Sequence, residues 1–327
     1  MSDEGKQVAV GIDLGGTAVK IGLVDVSYEV LAQTSIPTNG ERPYEQVIAD
    51  MGNTAAALLS ENGYTVEDCL GAGVGSPGII DSQNGVVLYS NNIQWDHVPL
   101  ADVLQKYLPV PVFVQNDANC MVLGEVLKGA GKGYRNAVFL TLGTGVGGGI
   151  VIDGKIFEGG HAGGAELGHI KCGSERRRCT CGRYDCLEAY ASATALINDA
   201  KKMARQYPDS ILWELCGHDL ETMNAKMPFD AAEANDRCGK ILVENYIGYL
   251  ADGITDLANI FRPDIIVLGG GVCAQGEKLT NPLNQYLQEN CFGNTVTYLP
   301  RVIIAKNGNQ AGLIGAAGLV YQHRNGS

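Results

Sequence analysis

Short apolar runs that end in glycine turns recur along this chain. The run from Val8 to Ile12 leads into Asp13-Leu-Gly-Gly-Thr17, and a second apolar run, Val19 to Val24, follows at once. Two apolar runs joined by a glycine turn predict a β-hairpin. The segment from Ala137 to Gly145 follows the same plan, with apolar residues or glycine at five of the seven aligned positions. This repetition favours two halves built alike, although any buried hairpin gives a similar pattern.

The rest of the chain alternates between helical spacing and short apolar runs. Apolar residues three and four positions apart predict helices over residues 46–62, 99–107, 118–127, 189–207, 235–261 and 310–322. Short apolar runs predict strands over residues 71–75, 110–114 and 265–268. Strands that alternate with helices in this way indicate an α/β fold.

The length of the chain, 327 residues, favours two domains, because a single hydrophobic core rarely grows to that size. We expect a small α/β domain over residues 1–117, completed by a C-terminal helix within residues 310–327. A large α/β domain would follow over residues 118–309, with a loop over residues 169–188 and a helical insertion. The polar segment 129–135 would join the two.

Composition and charge narrow the function classes. The net charge of −12 disfavours nucleic acid as a partner, and we interpret Arg176-Arg177-Arg178 as a solvated loop. The N-terminal residues lack a signal-peptide pattern, and no apolar run approaches the ~18 residues that span a bilayer, so we expect a cytoplasmic protein without a membrane partner. The 44 glycines are about twice the usual share, which predicts many turns that approach other groups closely.

Three glycine turns that follow predicted strands are candidate phosphate sites, because their backbone N–H groups converge on one ligand. Neither the P-loop pattern nor the dinucleotide-binding fingerprint accounts for these turns. Asp13 would hold Mg²⁺ with ATP, or else close an Asx turn. The residues expected at the nucleotide are Asp13, Gly15, Gly16, Thr17, Lys20, Gly143, Thr144, Gly145, Gly269, Gly270 and Gly271.

Asp117 stands where a predicted strand meets a predicted helix. A carboxylate at such a junction either caps the helix or serves as a general base. As a base it would accept the hydroxyl proton of a phosphoryl acceptor during attack.

The spacing His169-x9-Cys179-x-Cys181-x4-Cys186 supplies one imidazole and three thiolates. This donor set is typical of structural Zn²⁺, and a group of unrelated thiols is the alternative. Because protein would fill every ligand position, such a metal would not activate water. It would instead fix the neighbouring residues Glu166 and Glu188. The scattered cysteines are interpreted as core thiols: Cys69, Cys120, Cys216, Cys238, Cys273 and Cys291.

With these residues in place, the chain resembles the ROK family of repressors, open reading frames and kinases, and within it the bacterial glucokinases. The resemblance covers nearly the whole length and is carried by Asp13-Leu-Gly-Gly-Thr17, Leu142-Gly-Thr-Gly-Val-Gly-Gly148, Glu166-Leu-Gly-His169 and Cys179-Thr-Cys-Gly-Arg-Tyr-Asp-Cys-Leu-Glu188. It implies two actin-like, ribonuclease-H-like α/β domains that close over a sugar and ATP in a cleft, and a homodimer.

The resemblance also implies residue roles. Asp117 would be the base on the 6-hydroxyl of glucose, and His169 would touch sugar with the ring nitrogen that does not face zinc. Thr17, Thr144 and the glycine turns would hold phosphates, and Gly270 would lie near adenosine. The other sugar contacts would come from Gly78, Asn91 or Asn92, Asn116, Glu166 and Glu188.

Several alternatives remain open at this stage. The substrate is glucose or another hexose such as N-acetylmannosamine, N-acetylglucosamine, fructose or allose, and polyphosphate is an alternative to ATP. A sugar-sensing regulator is the rival class, disfavoured because only seven residues precede the first predicted strand. The chain also departs from the family at Asp185, where glycine is usual. This departure raises the question whether the loop over residues 169–188, the metal loop, has the conformation usual in the family.

Overall fold

The computed structural model describes residues 6–325. Its strands are β1 (Val8–Leu14), β2 (Ala18–Asp25), β3 (Val30–Pro37), β4 (Cys69–Ser76), β5 (Ile79–Asp81), β6 (Val86–Ser90), β7 (Trp95–Val98), β8 (Val112–Asn116), β9 (Ala137–Leu142), β10 (Val146–Ile152), β11 (Lys155–Ile156), β12 (Ile265–Gly269) and β13 (Arg301–Ile304). Its helices are α1 (Tyr44–Glu61), α2 (Leu100–Leu104), α3 (Asp117–Lys128), α4 (Glu188–Ala191), α5 (Ala193–Gln206), α6 (Leu212–Leu215), α7 (Met227–Glu233), α8 (Arg237–Phe261), α9 (Glu277–Asn290) and α10 (Ala311–Asn325).

The described chain forms two compact units. One runs to Arg135 and includes Gly149–Ala165 and the segment from Lys306 onward, whereas the other contains Asn136–Gly148 and Glu166–Ala305. The units group residues 118–135 with the first part of the chain, because α3 packs against α10. The division into domains over residues 1–117 and 118–309 stays a prediction.

The two five-stranded sheets share one topology. The first has the order β3-β2-β1-β4-β8 and the second β11-β10-β9-β12-β13. In the first sheet β1 and β2 are antiparallel, while β1, β4 and β8 run parallel. In the second, β9, β12 and β13 run parallel. The prediction of two halves built alike is therefore confirmed, and so is the first hairpin.

The first sheet is covered on both faces because its strands are apolar on both sides. Helices α1 and α2 pack on one face around buried residues such as Ile48, Met51 and Leu104. Helices α3 and α10 cover the other face with Leu123, Leu313 and their neighbours. Helix α10 thus packs within the first unit.

Four glycines serve helix packing, a role that the composition did not predict. A side chain on Gly11 or Gly73 would overlap the backbone of α10, and one on Gly124 or Gly315 would overlap the neighbouring helix. These residues lie inside strands or helices. Glycine is required there because it lets α10 approach β1, β4 and α3 at backbone distance.

A separate three-stranded sheet, β5-β6-β7, belongs to the first unit. Within residues 6–325, no helix combines the length and the apolar character needed to cross a membrane.

Candidate active site

Two of the predicted carboxylates lie at one edge of the first sheet. The register pairs Asp13 with Gly75 and Ser76 with Asn116 across the parallel strands β1, β4 and β8. Because neighbouring strands are about 4.8 Å apart, Asp13 and the Asn116–Asp117 junction are about 10 Å apart. The fully buried thiol of Cys120 lies near both carboxylates, and its pKa is raised first by burial and then by Asp13 and Asp117.

Asp117 is the first residue of α3, and Asn116 caps this helix. The Oδ1 atom of Asn116 accepts hydrogen bonds from the backbone N–H groups of Ala118 at 2.9 Å and Asn119 at 3.2 Å. The capping role considered for Asp117 thus belongs mainly to its neighbour, although Asp117 Oδ1 also accepts from Ala118 N–H at 2.9 Å. The first turn of a helix stabilises an ionised carboxylate, which is the form that a general base needs.

The candidate sugar residues of the first unit gather beside Asp117. Asn116 Nδ2 donates to the carbonyl oxygen of Gly78 at 3.0 Å. Gly78 has a φ of 106° and packs so closely on the end of β6 that a side chain would overlap the Tyr89 carbonyl oxygen. The exposed residues Asn91 and Asn92 follow β6 directly.

The first glycine turn, Gly15 to Thr17, joins β1 to β2. Gly15 N–H donates to the Ala18 carbonyl oxygen at 3.0 Å, and the buried Thr38 hydroxyl donates to the Gly15 carbonyl oxygen at 2.7 Å. Gly16 and Thr17 are exposed, and a Cβ on Gly16 would lie 4.0 Å from Asn92. Sequence reasoning missed Thr38, which holds the turn from 23 residues away.

Asp13 forms an ion pair with Lys20 across the hairpin, with a separation of 3.2 Å between Oδ2 and Nζ. It also faces the first turn of α10, where a side chain on Gly312 would come within 3.0 Å of its Cγ. The predicted Mg²⁺ residue and a lysine predicted at the nucleotide are therefore brought together by the β1–β2 register.

The second glycine turn, Gly143 to Gly145, is held by the first residues of α5. Ala193 N–H donates to the Gly143 carbonyl oxygen at 2.8 Å, and the Thr194 hydroxyl donates to the Thr144 carbonyl oxygen at 2.7 Å. A side chain on Gly145 would overlap Oε2 of Glu188. The small residue at position 145 thus makes room for Glu188, a reason that the glycine pattern alone did not reveal.

The third turn, Gly269 to Gly271, lies next to the second. Gly269 pairs with Thr141 in the register of β12 and β9. Gly270 has a φ of 92°, and a Cβ there would lie 2.5 Å from the Leu142 carbonyl oxygen. Only glycine fits this close approach. The second unit thus places two of the three predicted turns side by side.

The four predicted metal ligands converge in the second unit. Their donor atoms all lie within 4.8 Å of one another. Cys179 Sγ is 3.6 Å from His169 Nδ1, and Cys181 Sγ is 3.7 Å from Cys186 Sγ. Bond lengths for tetrahedral zinc give about 3.6 Å between nitrogen and sulfur and about 3.8 Å between two sulfurs. A disulfide would require about 2.05 Å, so the geometry fits a tetrahedral metal site.

A tight turn presents the cysteine ligands. Cys179 N–H donates to the Arg183 carbonyl oxygen at 2.8 Å, and Gly182 N–H donates back to the Cys179 carbonyl oxygen at 3.0 Å. A hydrogen bond from Arg183 N–H lowers the pKa of Cys181, whereas burial raises the pKa of Cys186 to about 12. A metal that binds here must displace the proton of a buried thiol.

Asp185 adopts the left-handed backbone conformation that explains the usual glycine at this position, with a φ of 61°. Its buried side chain compensates through Oδ1, which accepts from Arg177 N–H at 3.0 Å and from the Tyr190 hydroxyl at 2.6 Å. These hydrogen bonds, that of Tyr190 first, lower the pKa of Asp185. The departure from the family pattern therefore leaves the ligand positions intact.

The remaining candidate sugar residues flank the metal site. Glu166 precedes the short 3₁₀ helix Leu167–His169, and its carbonyl oxygen accepts from His169 N–H at 3.0 Å. Glu188 begins α4, and its Oε1 accepts from the Thr180 hydroxyl at 2.7 Å while its Oε2 accepts from Val146 N–H at 3.1 Å. Sequence reasoning missed Thr180, although it stands between two predicted ligands.

Two further polar residues near Asp117 were also missed. Gln115 is 4% exposed and precedes Asn116 in β8, and its Nε2 donates to Glu158 Oε1. The only signal in the sequence is a glutamine in an otherwise apolar run that ends at Asn116-Asp117.

Comparisons with known proteins give the family of this chain. The model of the ROK family matches residues 9–323. The chain is 37% identical to a glucokinase of Thermotoga maritima, an alignment that covers 97% of this chain and 98% of that protein. It is 34% identical to a ROK family glucokinase from Streptomyces griseus solved with glucose and AMPPNP, with a TM-score of 0.79 and coverage of 96% and 99%.

A ROK hexokinase from Thermus thermophilus is 31% identical, with a TM-score of 0.80 and coverage of 98% of this chain and 100% of that one. These likenesses confirm the predicted α/β class with its actin-like architecture. Family match, sequence identity and fold agree over nearly the whole length. The chain therefore belongs to the ROK family.

Proposed function

We propose that this protein is an ATP-dependent hexose kinase that transfers the γ-phosphoryl group to the 6-hydroxyl of glucose. The observation that carries the proposal is Asp117, an acidic residue in the first turn of α3, at the carboxyl edge of the first sheet beside Asn116 and Gly78. The likeness to glucokinases over nearly the full length supports glucose as the hexose.

Asp117 acts as the general base that accepts the 6-hydroxyl proton as the oxygen attacks. Asn116 Oδ1 already caps α3, and one Nδ2 hydrogen is donated to Gly78, so Asn116 offers the sugar its second Nδ2 hydrogen. The other hydroxyls are bound by Gly78, Asn91 or Asn92, Glu166, His169 and Glu188.

The glycine turns bind the phosphates through backbone N–H groups, with Thr17 and Thr144 adding hydroxyl donors. Mg²⁺, bound with ATP, neutralises phosphate charge, and Asp13 would hold it while Lys20 pairs with the same carboxylate. Gly270 lies at the adenosine, and its lack of a side chain allows its close approach to the Leu142 carbonyl oxygen.

We assign His169, Cys179, Cys181 and Cys186 to a structural Zn²⁺, which the spacing of the four donor atoms supports. His169 uses Nδ1 on the metal side, so its Nε2 is left for the sugar. Because no ligand position remains for water, the metal holds the loop and the residues at its two ends, and the chemistry belongs to Asp117.

Replacement of Asp117 tests the reaction. Asp117→Asn should lower kcat for glucose by about 10²–10⁴, measured by coupling glucose 6-phosphate formation to NADPH absorbance. Asp96→Asn, an exposed carboxylate of the same unit, is the control and should leave kcat unchanged. Turnover of the Asp117 variant within about tenfold of the parent would contradict the assignment of the base.

A panel of acceptors and donors tests the substrate. With ATP we expect the highest kcat/KM for glucose among glucose, fructose, allose, N-acetylglucosamine and N-acetylmannosamine. Polyphosphate in place of ATP should give little product. Preference for an N-acetyl hexose would overturn glucose, and absence of phosphorylation of any hexose would favour the sugar-sensing regulator.

Metal analysis tests the zinc assignment. Purified protein should contain about one zinc per chain. Removal by a chelator should weaken glucose binding in calorimetry, and added Zn²⁺ should restore it. Zinc-free protein that keeps the glucose affinity of the parent would contradict this role.

We also propose that the enzyme acts as a cytoplasmic homodimer. Light scattering after size-exclusion chromatography and fractionation of cells test this. A monomer over the micromolar range, or recovery with membranes, would refute it.

A further inference from the structure

A pair of polar side chains lies behind the junction that carries Asp117. Gln115 occupies the penultimate position of β8, where it is 4% exposed. Its Oε1 accepts from Asn116 N–H at 2.8 Å and from Asn119 Nδ2 at 3.1 Å. A buried glutamine is costly unless its amide is satisfied, and here one amide fixes the residues on both sides of Asp117.

Glu158 is the hydrogen-bond acceptor for the side-chain N–H₂ group of Gln115. It accepts from Gln115 Nε2 through Oε1 and from the Ser82 hydroxyl at 2.7 Å through Oε2. Its carbonyl oxygen accepts from Gly164 N–H at 3.2 Å, which closes a loop rich in glycine just before Glu166. Glu158 therefore connects β8 with the segment after β5 and with the loop that leads to a candidate sugar residue.

We propose that Gln115 and Glu158 are positioning residues for the general base, a role that rests on the proposed kinase function. The side-chain amide of Gln115 fixes the position of the β8–α3 junction, and the carboxylate of Glu158 fixes the orientation of that amide. Neither side chain touches the substrate. A shift of the junction by about 1 Å would move Asp117 out of line with the attacking hydroxyl, which costs about 10²-fold in rate.

The pair faces a cavity of about 700 Å³ within the first unit. The titratable groups that line it are Glu158, Asp153, Lys155 and His323, and the His323 ring stacks on Phe113 at 4.1 Å between centroids. Lys155 is exposed and also lines this cavity. An acid placed at position 115 would lie directly against the Glu158 carboxylate, to which the Gln115 amide is hydrogen-bonded.

A charge exchange between the two positions provides the test. Gln115→Glu places a second carboxylate against Glu158, and the repulsion raises the pKa of the pair above that of the unfolded chain. The stability and activity of Q115E, relative to those of the parent, should therefore be highest at low pH. Both should be lost as the pH rises through the pKa of the pair in the folded protein. At pH 8 we expect kcat to fall about 10–100-fold with little change in KM for the hexose.

The double variant Q115E/E158Q should restore the parent behaviour. Its glutamine at position 158 donates to the carboxylate at position 115 and accepts from Ser82, so every hydrogen bond is kept and only the one between positions 115 and 158 changes direction. We expect kcat within about threefold of the parent and a pH profile of the same shape, because such cycles isolate a pairwise interaction.

Gln105→Glu is the matched control. Gln105 belongs to the same unit and donates to the Val110 carbonyl oxygen at 3.2 Å, at the end of α2. The Gln105→Glu substitution should lower Tm slightly and leave the pH profile of kcat unaltered. A Q115E profile parallel to that of the parent, or a double variant no better than Q115E, would overturn the positioning role.

The melting temperature separates this inference from the kinase proposal. The Tm of Q115E should fall relative to the parent as pH rises from 5.5 to 8, and the double variant should remove that dependence, without any substrate. If the parent phosphorylated another hexose, kcat would be measured with that sugar instead of glucose. A parent without kinase activity would refute both the kinase proposal and the positioning role. The Tm values would then still show whether the side chains at positions 115 and 158 interact.

Discussion

Replacement of Glu125 should destabilise the first unit strongly, because this fully buried carboxylate of α3 holds three backbone N–H groups. Oε2 accepts from Ala130 at 2.7 Å and from Lys306 at 3.0 Å, and Oε1 accepts from Asn307 at 2.7 Å. The same side chain therefore ends α3 and fixes the segment that enters α10. Glu125→Ala leaves all three donors without this acceptor.

The size of the effect follows from these contacts. A buried donor that loses its acceptor costs about 1–3 kcal/mol. Lys306 is an exposed residue, so water replaces part of the loss, and we take about 3–5 kcal/mol in total rather than the upper limit. At about 2–4 °C for each kcal/mol in a unit of this size, Tm should fall by about 6–20 °C.

Calorimetric unfolding of the parent and variants measures this change. Glu125→Gln should lie between the parent and the alanine variant, because one of its two acceptors becomes a donor. Glu29→Ala is the control, since Glu29 pairs with Lys128 of the same helix but is 64% exposed, and its loss should cost below about 1 kcal/mol. A Tm for the alanine variant within about 2 °C of the parent would refute the reasoning.

Three further predictions concern the metal loop and the helix packing. Thr180→Val should raise KM for glucose about tenfold by removing the charge-assisted hydrogen bond to Glu188, while Thr180→Ser and the zinc content stay near the parent. Asp185→Gly should increase hydrogen exchange in the metal loop, whereas Asp185→Asn keeps both Oδ1 contacts. Because the folded pKa of Asp185 is lowered, its charge stabilises above the unfolded pKa and this is lost as pH falls through the folded value, so the asparagine variant should flatten the acid side of the Tm curve. Gly73→Ala should prevent α10 from docking and abolish cooperative unfolding in calorimetry, whereas Gly248→Ala, where a Cβ meets nothing within 4 Å, should stabilise α8 by about 0.5–1 kcal/mol.

The parts of the fold that sequence predicted are those with a local signal. The glycine turn after Val8–Leu14 and its repeat after Ala137–Leu142 predicted the hairpin architecture of both halves. The small sheet was missed because its strands are short and partly exposed, as in Ile79–Asp81 and Trp95–Val98, so they show no clear alternation.

The role of many glycines could not be predicted, because it depends on contacts between distant segments. Gly73 and Gly11 lie in strands, and each contacts a residue of α10 that is more than 200 positions away in the sequence. Both lie in apolar runs that predict strands, and nothing in these runs indicates that a helix approaches them. Only the folded packing separates a glycine that turns the chain from one that admits a helix.

The same distinction applies to the candidate site. The four predicted metal ligands fall within residues 169–186, so their spacing alone predicted a cluster. Gln115 and Glu158 are 43 positions apart, and Ser82 is 76 positions from Glu158. No periodicity links them, and so the polar support of the Asp117 junction could be found only in the fold.

Glu188 shows how the metal loop and a glycine turn depend on one another in the second unit. Thr180, between two metal ligands, donates to its Oε1, and Val146 N–H at the end of the second turn donates to its Oε2. Gly145 must lack a side chain for that second contact to form. Cys179 Sγ also lies 3.4 Å from Oε1, but as a thiolate on zinc it would have no hydrogen to donate. A carboxylate has about four lone-pair sites, so two would remain for sugar hydroxyls after Thr180 and Val146 are bound. The proposed zinc therefore needs no chemistry of its own, because it fixes Thr180, and Thr180 with the glycine turn fixes the carboxylate that would orient the sugar.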